Sequence, residues 1–341
     1  MSAPLATVGV LSIGSMGLGV AKLLQAHSYR VLTNVADRSP STQSRASSAS
    51  ITLVTTDIEL VAQCDYILSI VPPRDAISTA SRIITALNTT PSPRSASLPP
   101  LYFLDLNAIS PSTAKEIESN FRSHASQLRF LDGGIIGPPP SPIADSTSWK
   151  RPGIPLSGPH PLHDAEANGA HLAQTLNTKH LSPTIGTASG LKCCFASLTK
   201  GLTGLALQSF TTASSLNVLP ELQSYLSEYS PMTGKLVARS VVACPGKAYR
   251  WVEEMVQIGQ CFEEDGGWGE QAKVLGRVAE IYDLLGRTVT ERGGAEGLGS
   301  LEKVVNALRE GLNGQKVNGR SLEEDEQGDR QGKGCVMSVD E

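Results

Sequence analysis

The chain has 341 residues, 40% of them apolar and 18% charged, and a formal net charge of −4. That length suffices for two domains with cores of their own. The composition is that of an ordinary folded protein rather than a disordered or membrane one, and the lack of a basic surplus argues against nucleic acid as a partner. Six cysteines are scattered, with only Cys193 and Cys194 adjacent, and none has zinc-site spacing; reduced thiols and no metal site are therefore expected. His160 and His163 form an isolated pair in a Pro-rich stretch.

In chain order, Val8 to Ile13 reads as a buried strand, too short for a signal peptide or a membrane span. A Gly-containing turn leads into a helix over Leu18 to Ala26, and Tyr29 to Val35 reads as a second strand. Tyr66 to Val71 is a further apolar run, stopped by Pro72-Pro73. Leu101 to Leu106 reads as a strand, and Phe130-Leu131 opens another. Helical patterns lie between them at Ser78 to Leu87 and Ser112 to His124. Strands alternating with helices predict right-handed crossovers and a mostly parallel, doubly wound α/β sheet. Thr89 to Pro100 and Pro138 to Gly153 are rich in Pro and polar residues and read as loops.

After about Thr184 the strands cease. Leu191 to Leu216 reads as one long helix, and Ala248 to Phe262 and Gln271 to Leu285 read as amphipathic helices. The expected organisation is an α/β domain over 1–183, an all-helical domain over 184–313, and a disordered tail over 314–341, rich in Gly, Gln, Asp and Glu. No run approaches about 20 apolar residues, so no membrane partner is expected. The cytoplasm is the default location, the final Ser338-Val339-Asp340-Glu341 being no peroxisomal signal.

The turn after the first strand is Leu11-Ser12-Ile13-Gly14-Ser15-Met16-Gly17. In a dinucleotide-binding turn of the Rossmann type, one glycine allows the bend, a second lets backbone approach pyrophosphate, and a third lets helix pack on strand. Gly14 and Gly17 occupy the second and third places, and Ser12 occupies the first. Ser12, Gly14, Ser15, Met16 and Gly17 are the expected pyrophosphate contacts. At the end of the second strand stand Asp37, Arg38, Ser39 and Ser41, with Arg45 further on. An acidic side chain favours the free 2′-hydroxyl of NAD, whereas an arginine can hold the 2′-phosphate of NADP. Arg38 beside Ser39 points to NADP, with NAD the alternative if Asp37 faces inward.

Together with these segments, Ser69-Ile70-Val71-Pro72-Pro73, Asp105-Leu106-Asn107-Ala108-Ile109-Ser110-Pro111, Asp132-Gly133-Gly134-Ile135-Ile136-Gly137 and Gly186 to Lys192 resemble the 6-phosphogluconate and 3-hydroxyacid dehydrogenase superfamily, whose relatives include imine reductases. Lys247-Ala248-Tyr249-Arg250-Trp251 resembles a stretch in the branch with a distinct phosphogluconate dehydrogenase C-terminal domain. The resemblance runs from about Thr7 to Leu285. It implies that Val71, Pro72 and Pro73 pass under the adenosine half of the cofactor, and that Asn107 bonds near the nicotinamide ribose. The alternative for Asn107 is to cap the helix that follows, although Ser110 with Pro111 already has the form of a cap with Pro at the first helical position.

The resemblance makes Lys192 the proton-transfer group, a role that partial burial suits by lowering its pKa. It places the substrate beside Gly133, Gly134 and Ile136. Two departures stand out: Ile136 occupies the place of a substrate-binding serine, and Ala196 that of an asparagine. Gly133 and Gly134 can still offer backbone N–H groups to an anion; Thr199, Lys200 and Thr203 occupy the next turns, with Lys200 roughly on the stripe of Lys192, and one of them can replace a missing polar contact. Cys193 and Cys194 read as core residues. The apolar face of Leu202, Leu205 and Ala206 predicts a homodimer. The expected activity is hydride transfer between NADP(H) and a small hydroxy or keto compound. An imine substrate, or a cofactor-binding scaffold without turnover, stands as the alternative.

Overall fold

A computed structural model describes residues 3–36 and 38–314; Asp37 and the expected tail beyond Gly314 lie outside the described residues. The first elements alternate as read: β1 (Thr7–Leu11), α1 (Ser15–Ala26), β2 (Arg30–Asn34), α2 (Pro40–Ser48), β3 (Thr52–Val54), α3 (Asp57–Gln63), β4 (Tyr66–Ser69), α4 (Ala76–Leu87), β5 (Tyr102–Asp105), α5 (Pro111–His124) and β6 (Arg129–Gly133). A short hairpin follows, β7 (Ser141–Pro142) with β8 (Trp149–Lys150), so the stretch expected to be plain loop carries a two-stranded ribbon. Next come β9 (Ile154–Ser157), α6 (Gly169–Leu176) and β10 (Thr178–Ser182).

The main sheet has the order β10-β9-β6-β5-β4-β1-β2-β3, and only β6 and β9 pair antiparallel. Its β3-β2-β1-β4-β5-β6 portion is the doubly wound dinucleotide-binding order, whose strand sequence reverses between β1 and β4. The chain runs apolar through these strands because both faces are covered. Successive residues alternate between faces: Leu104 and Leu131 enter the core that includes Val8, Val10 and Leu24, whereas Phe103 and Phe130 enter the one with Ile67, Ile117 and Phe121. Phe103 and Phe121 have ring centroids 5.0 Å apart.

Beyond β10 the described elements are helical: α7 (Thr187–Ala196), α8 (Leu202–Ser215), α9 (Leu219–Tyr229), α10 (Pro231–Ala243), α11 (Ala248–Gln260), α12 (Lys273–Glu291) and a helix α13 over 301–314. The long helix expected over Leu191 to Leu216 is interrupted by a π-helical turn at Ser197–Gly201. Packing divides the described residues into one compact unit within 3–198 together with 253–275, and a second of 199–252 together with 276–314. No helix among the described residues is long and apolar enough to cross a membrane.

Candidate functional site

The crevice at the carboxyl ends of β1 and β4 begins with Ser12. Its φ of 79° lies in the left-handed region, so this serine takes up the conformation that the first glycine of such a turn usually supplies. Gly17 shows why the third place excludes a side chain: a Cβ there would stand 1.9 Å from the Ser12 carbonyl oxygen. At Gly14 the nearest atom to an added Cβ is Ser12 Oγ at 3.9 Å, which leaves the backbone open in front. Gly14 is also the N-cap of α1. No side chain caps that helix, and its first turn holds no acidic residue. Ser15, Met16 and Gly17 therefore offer N–H groups at an uncapped positive helix end, an arrangement that fits a pyrophosphate.

At the end of β2, Ser39 caps α2: its Oγ accepts from the Thr42 N–H at 3.4 Å and lies 3.0 Å from Ser41 Oγ and 3.1 Å from Thr42 Oγ1. Arg38 is exposed beside it. Arg45 Nη1 donates to the Ile13 carbonyl at 2.7 Å, where it braces the Ser12–Gly17 turn.

Beyond β4, Pro72 caps a 3₁₀ turn, Pro73–Asp75. Val71 is tied to the neighbouring strand end, its N–H donating to Asn107 Oδ1 at 2.7 Å. Asn107 Nδ2 donates to Ser69 Oγ at 3.0 Å and to Asp105 Oδ2 at 2.8 Å. Both amide hydrogens of Asn107 are thus spent inside the protein, and its side chain joins the ends of β4 and β5. The capping alternative falls to Ser110, whose Oγ accepts from the Thr113 N–H at 3.2 Å with Pro111 in the first turn. Asp105 is completely buried, and desolvation pushes its carboxyl up to about 7, with the negative Asp132 acting in the same direction.

Lys192 lies against the Gly-Gly loop. A Cβ on Gly134 would lie 3.0 Å from Lys192 Cβ and 3.2 Å from its Cγ, so the lysine stem lies flat on that glycine. The amine donates to the Ile135 carbonyl. Burial brings Lys192 down to about 8 from the ordinary lysine value of 10.5, which leaves both protonation states populated near neutral pH. The expectation that Gly134 offers its N–H to an anion fails, because that N–H donates to the Pro155 carbonyl at 3.2 Å. Gly133 is a strand residue, and a side chain there would collide with Leu156 and Leu106 at 2.7 and 2.8 Å. Ile136 is half-buried and exchanges two 2.9 Å main-chain bonds with Gly153.

Lys200 belongs to the second unit, with its amine 5.4 Å from the centroid of the Trp251 ring. The π-helical turn breaks the α-helical register on which its common stripe with Lys192 depended. Cys193 is buried but Cys194 is exposed, so only the first is a core residue. Arg129 Nη1 donates to His160 Nε2 at 2.9 Å, and His163 lies 3.5 Å from Asp164.

Two residues escaped the sequence reading. Asp132 is fully buried and accepts hydrogen bonds from the start of α7, and Ser189 is one of the donors. The available signal was an acid ending a strand just before the Gly-Gly pair, together with small polar residues opening the lysine helix.

Residues 7–141 match the family described as the NAD binding domain of 6-phosphogluconate dehydrogenase. That segment is an NAD-binding domain of the 6-phosphogluconate dehydrogenase type. Residues 213–285 match a domain of unknown function, DUF1932. No curated protein sequence matches the chain. Among solved structures, 3-hydroxyisobutyrate dehydrogenase from Salmonella typhimurium aligns with a TM-score of 0.59 at 15% identity, covering 88% of this chain and 99% of that one. The Mycobacterium tuberculosis 3-hydroxyisobutyrate dehydrogenase aligns at 0.57 and 16%, covering 89% and 99%. A conserved hypothetical protein from Sinorhizobium meliloti gives 0.59 and 17%, covering 90% and 97%. The NAD-binding domain followed by a helical region is thus the fold of the 3-hydroxyacid dehydrogenases, as the resemblance implied.

Proposed function

We propose that the protein is an NADP(H)-dependent oxidoreductase acting on a small hydroxy or keto compound, with Lys192 as its general acid and base. The observation that carries this reading is the half-buried Lys192 amine, held on the Ile135 carbonyl at the end of β6 in the sheet whose β1 end carries the Gly14–Gly17 turn. The first turn of α1 would hold the pyrophosphate through the N–H groups of Ser15, Met16 and Gly17. Arg38, with the hydroxyls of Ser39, Ser41 and Thr42 at the start of α2, would hold a 2′-phosphate. When bound, the nicotinamide supplies a hydride donor or acceptor. Asn107 anchors Val71 and so fixes the loop through Pro72 and Pro73 at the edge of the crevice.

In the oxidative direction the neutral Lys192 amine takes the hydroxyl proton. In the reductive direction the ammonium gives a proton to the carbonyl oxygen. A C=N substrate is the second reading, supported by Ile136 and Ala196, which put no hydroxyl or amide where an oxygen-bearing substrate would gain a partner. Unit two carries exposed Leu216, Tyr225, Tyr229 and Met232, the last 82% exposed, which supports a homodimer through this helical face.

Fluorescence titration with NADPH and with NADH tests the cofactor, and a screen of ketones, aldehydes and cyclic imines follows with the tighter one. Selective NADPH binding with turnover that Lys192→Ala removes is the expected result. Binding without turnover would leave a scaffold, and no binding of either would end the proposal.

A further inference from the structure

We infer that Asp132 is a positioning residue for Lys192: the stretch from Asp132 to Ile135 grips α7 both at its first turn and at the lysine. The inference rests on Lys192 being the proton-transfer group.

Asp132 Oδ2 accepts from the backbone N–H groups of Gly186 at 3.0 Å, Ala188 at 3.1 Å and Ser189 at 3.1 Å, and from the Ser157 hydroxyl at 2.8 Å. Its Oδ1 accepts from the Ser189 hydroxyl. Ser157 Oγ in turn accepts from Ala188 N–H at 3.0 Å, which draws β9 into the same knot. A carboxylate at a helix start satisfies N–H groups that have no partner within the helix, and it complements the helix dipole. Such caps usually come from the residue next to the helix. Here the cap is supplied from the sheet, 54 residues before Gly186.

Three residues after Asp132, the Ile135 carbonyl receives the Lys192 amine, and Gly134 between them supports the lysine stem. Lys192 lies five residues into α7, about 7.5 Å along its axis. Two attachments that far apart fix both the rise and the rotation of α7 against β6. If the first lets go, the lysine can turn away from Gly134 into water. The ionisable groups around this segment are Asp132 and Asp105 at the strand ends, Cys193 on α7 and Lys115 on α5. The Cys193 thiol, which is hydrogen-bonded to Cys261 and buried, is pushed strongly upward and stays neutral, so burial is what lowers the Lys192 amine.

The test follows the ε-carbon of Lys192 by NMR in full-length protein labelled with ¹³C-lysine, the signal being assigned with Lys192→Arg. In the parent the titration midpoint is expected at about 8. Asp132→Ala is expected to raise it by about one pH unit or more, towards the ordinary value. Asp132→Asn is expected to restore it to within about half a unit, because the amide oxygen can still face the three N–H groups while the Ser189 hydroxyl turns to accept. A folded Asp132→Ala protein with lowered Tm and an unchanged midpoint would overturn the inference, since the carboxylate would then be a cap and nothing more. If Asp132→Ala does not fold, Ser189→Ala removes only the Oδ1 partner: a smaller upward shift supports the inference, and an unmoved midpoint refutes it. Failure of the catalytic reading shows separately, as Lys192→Ala turning over normally, and leaves these midpoints untouched.

Discussion

Gly14 and Gly17 stand three residues apart in one turn, and replacing each by alanine should separate binding from folding. At Gly17 the added Cβ would be 1.9 Å from a backbone oxygen and 3.1 Å from its carbon. Helix and strand must part by about 1 Å to reach even a tight contact, and neither partner is a flexible side chain. The cost is at least about 3 kcal/mol, a fall in Tm of about 4 °C or more for a protein of this size. At Gly14 the backbone angles, φ −73° and ψ −173°, are open to alanine, and nothing lies closer than 3.9 Å. Stability should therefore move by no more than about 1 kcal/mol. The methyl group would nonetheless stand where a pyrophosphate approaches the backbone, so NADPH affinity should fall at least about tenfold, or 1.4 kcal/mol. Thermal unfolding without ligand and fluorescence titration with NADPH read the two effects separately. A Gly14→Ala protein that binds NADPH as tightly as the parent would refute the assignment of this turn to the pyrophosphate.

Lys192 should give opposite pH limbs in the two directions: oxidation rises as pH passes about 8 and the amine loses its proton, and reduction falls through the same pH. Initial rates between pH 6 and 10, with the cofactor saturating, check both limbs, and parallel limbs would contradict the role. Asp105 binds its proton more tightly when folded, with a midpoint of about 7 against 3.8. Its contribution to stability is therefore complete below about pH 4 and lost as pH rises towards 7, on the order of 4 kcal/mol at most. Urea unfolding of Asp105→Asn across that window should show a flatter pH dependence than the parent. Ser12→Gly should relieve the left-handed backbone and raise stability by about 1 kcal/mol without weakening NADPH binding; a lower Tm would mean that the serine side chain holds the turn.

What could be read without coordinates was whatever depends on local pattern. The apolar runs at Val8, Tyr66 and Leu101 mark strands because both sheet faces are covered, and Ser110-Pro111 marks a helix start because its cap is made within four residues. The short α2, β3 and α3 went unread: Thr52–Val54 has three residues, two of them exposed, and Pro40–Ser48 buries only Ala46. The π-helical turn at Ser197–Gly201 was also invisible, since an extra residue in a helical turn leaves apolar spacing nearly intact while rotating everything after it. At the site, the lysine and the glycine turn were legible, but their supports were not. Gly134 is a glycine because a lysine stem from 58 residues later lies on it, and Asn107 is spent on Ser69, Val71 and Asp105 across strands.

These supports share one origin in the strand order. The ends of β1, β4, β5 and β6 carry Ser12, Val71, Asn107 and Asp132 in that spatial sequence, over three strand spacings or about 14 Å. Side chains as well as the sheet ladder hold these ends: Arg45 of α2 holds Ile13, Asn107 joins the end of β5 to Val71 and Ser69 at that of β4, and Asp132 ties β6 to Ser157 of β9 and to α7. A strand ladder sets spacing but leaves the loops beyond it free, and buried polar contacts of fixed direction remove that freedom. Asp105 and Asp132, paired in register on β5 and β6, are costly to bury, and burial pushes both carboxyls upward. Apolar residues could fill the same space at less cost. Their place is explained by what they hold, which is the loop at Val71 in one case and the helix of Lys192 in the other.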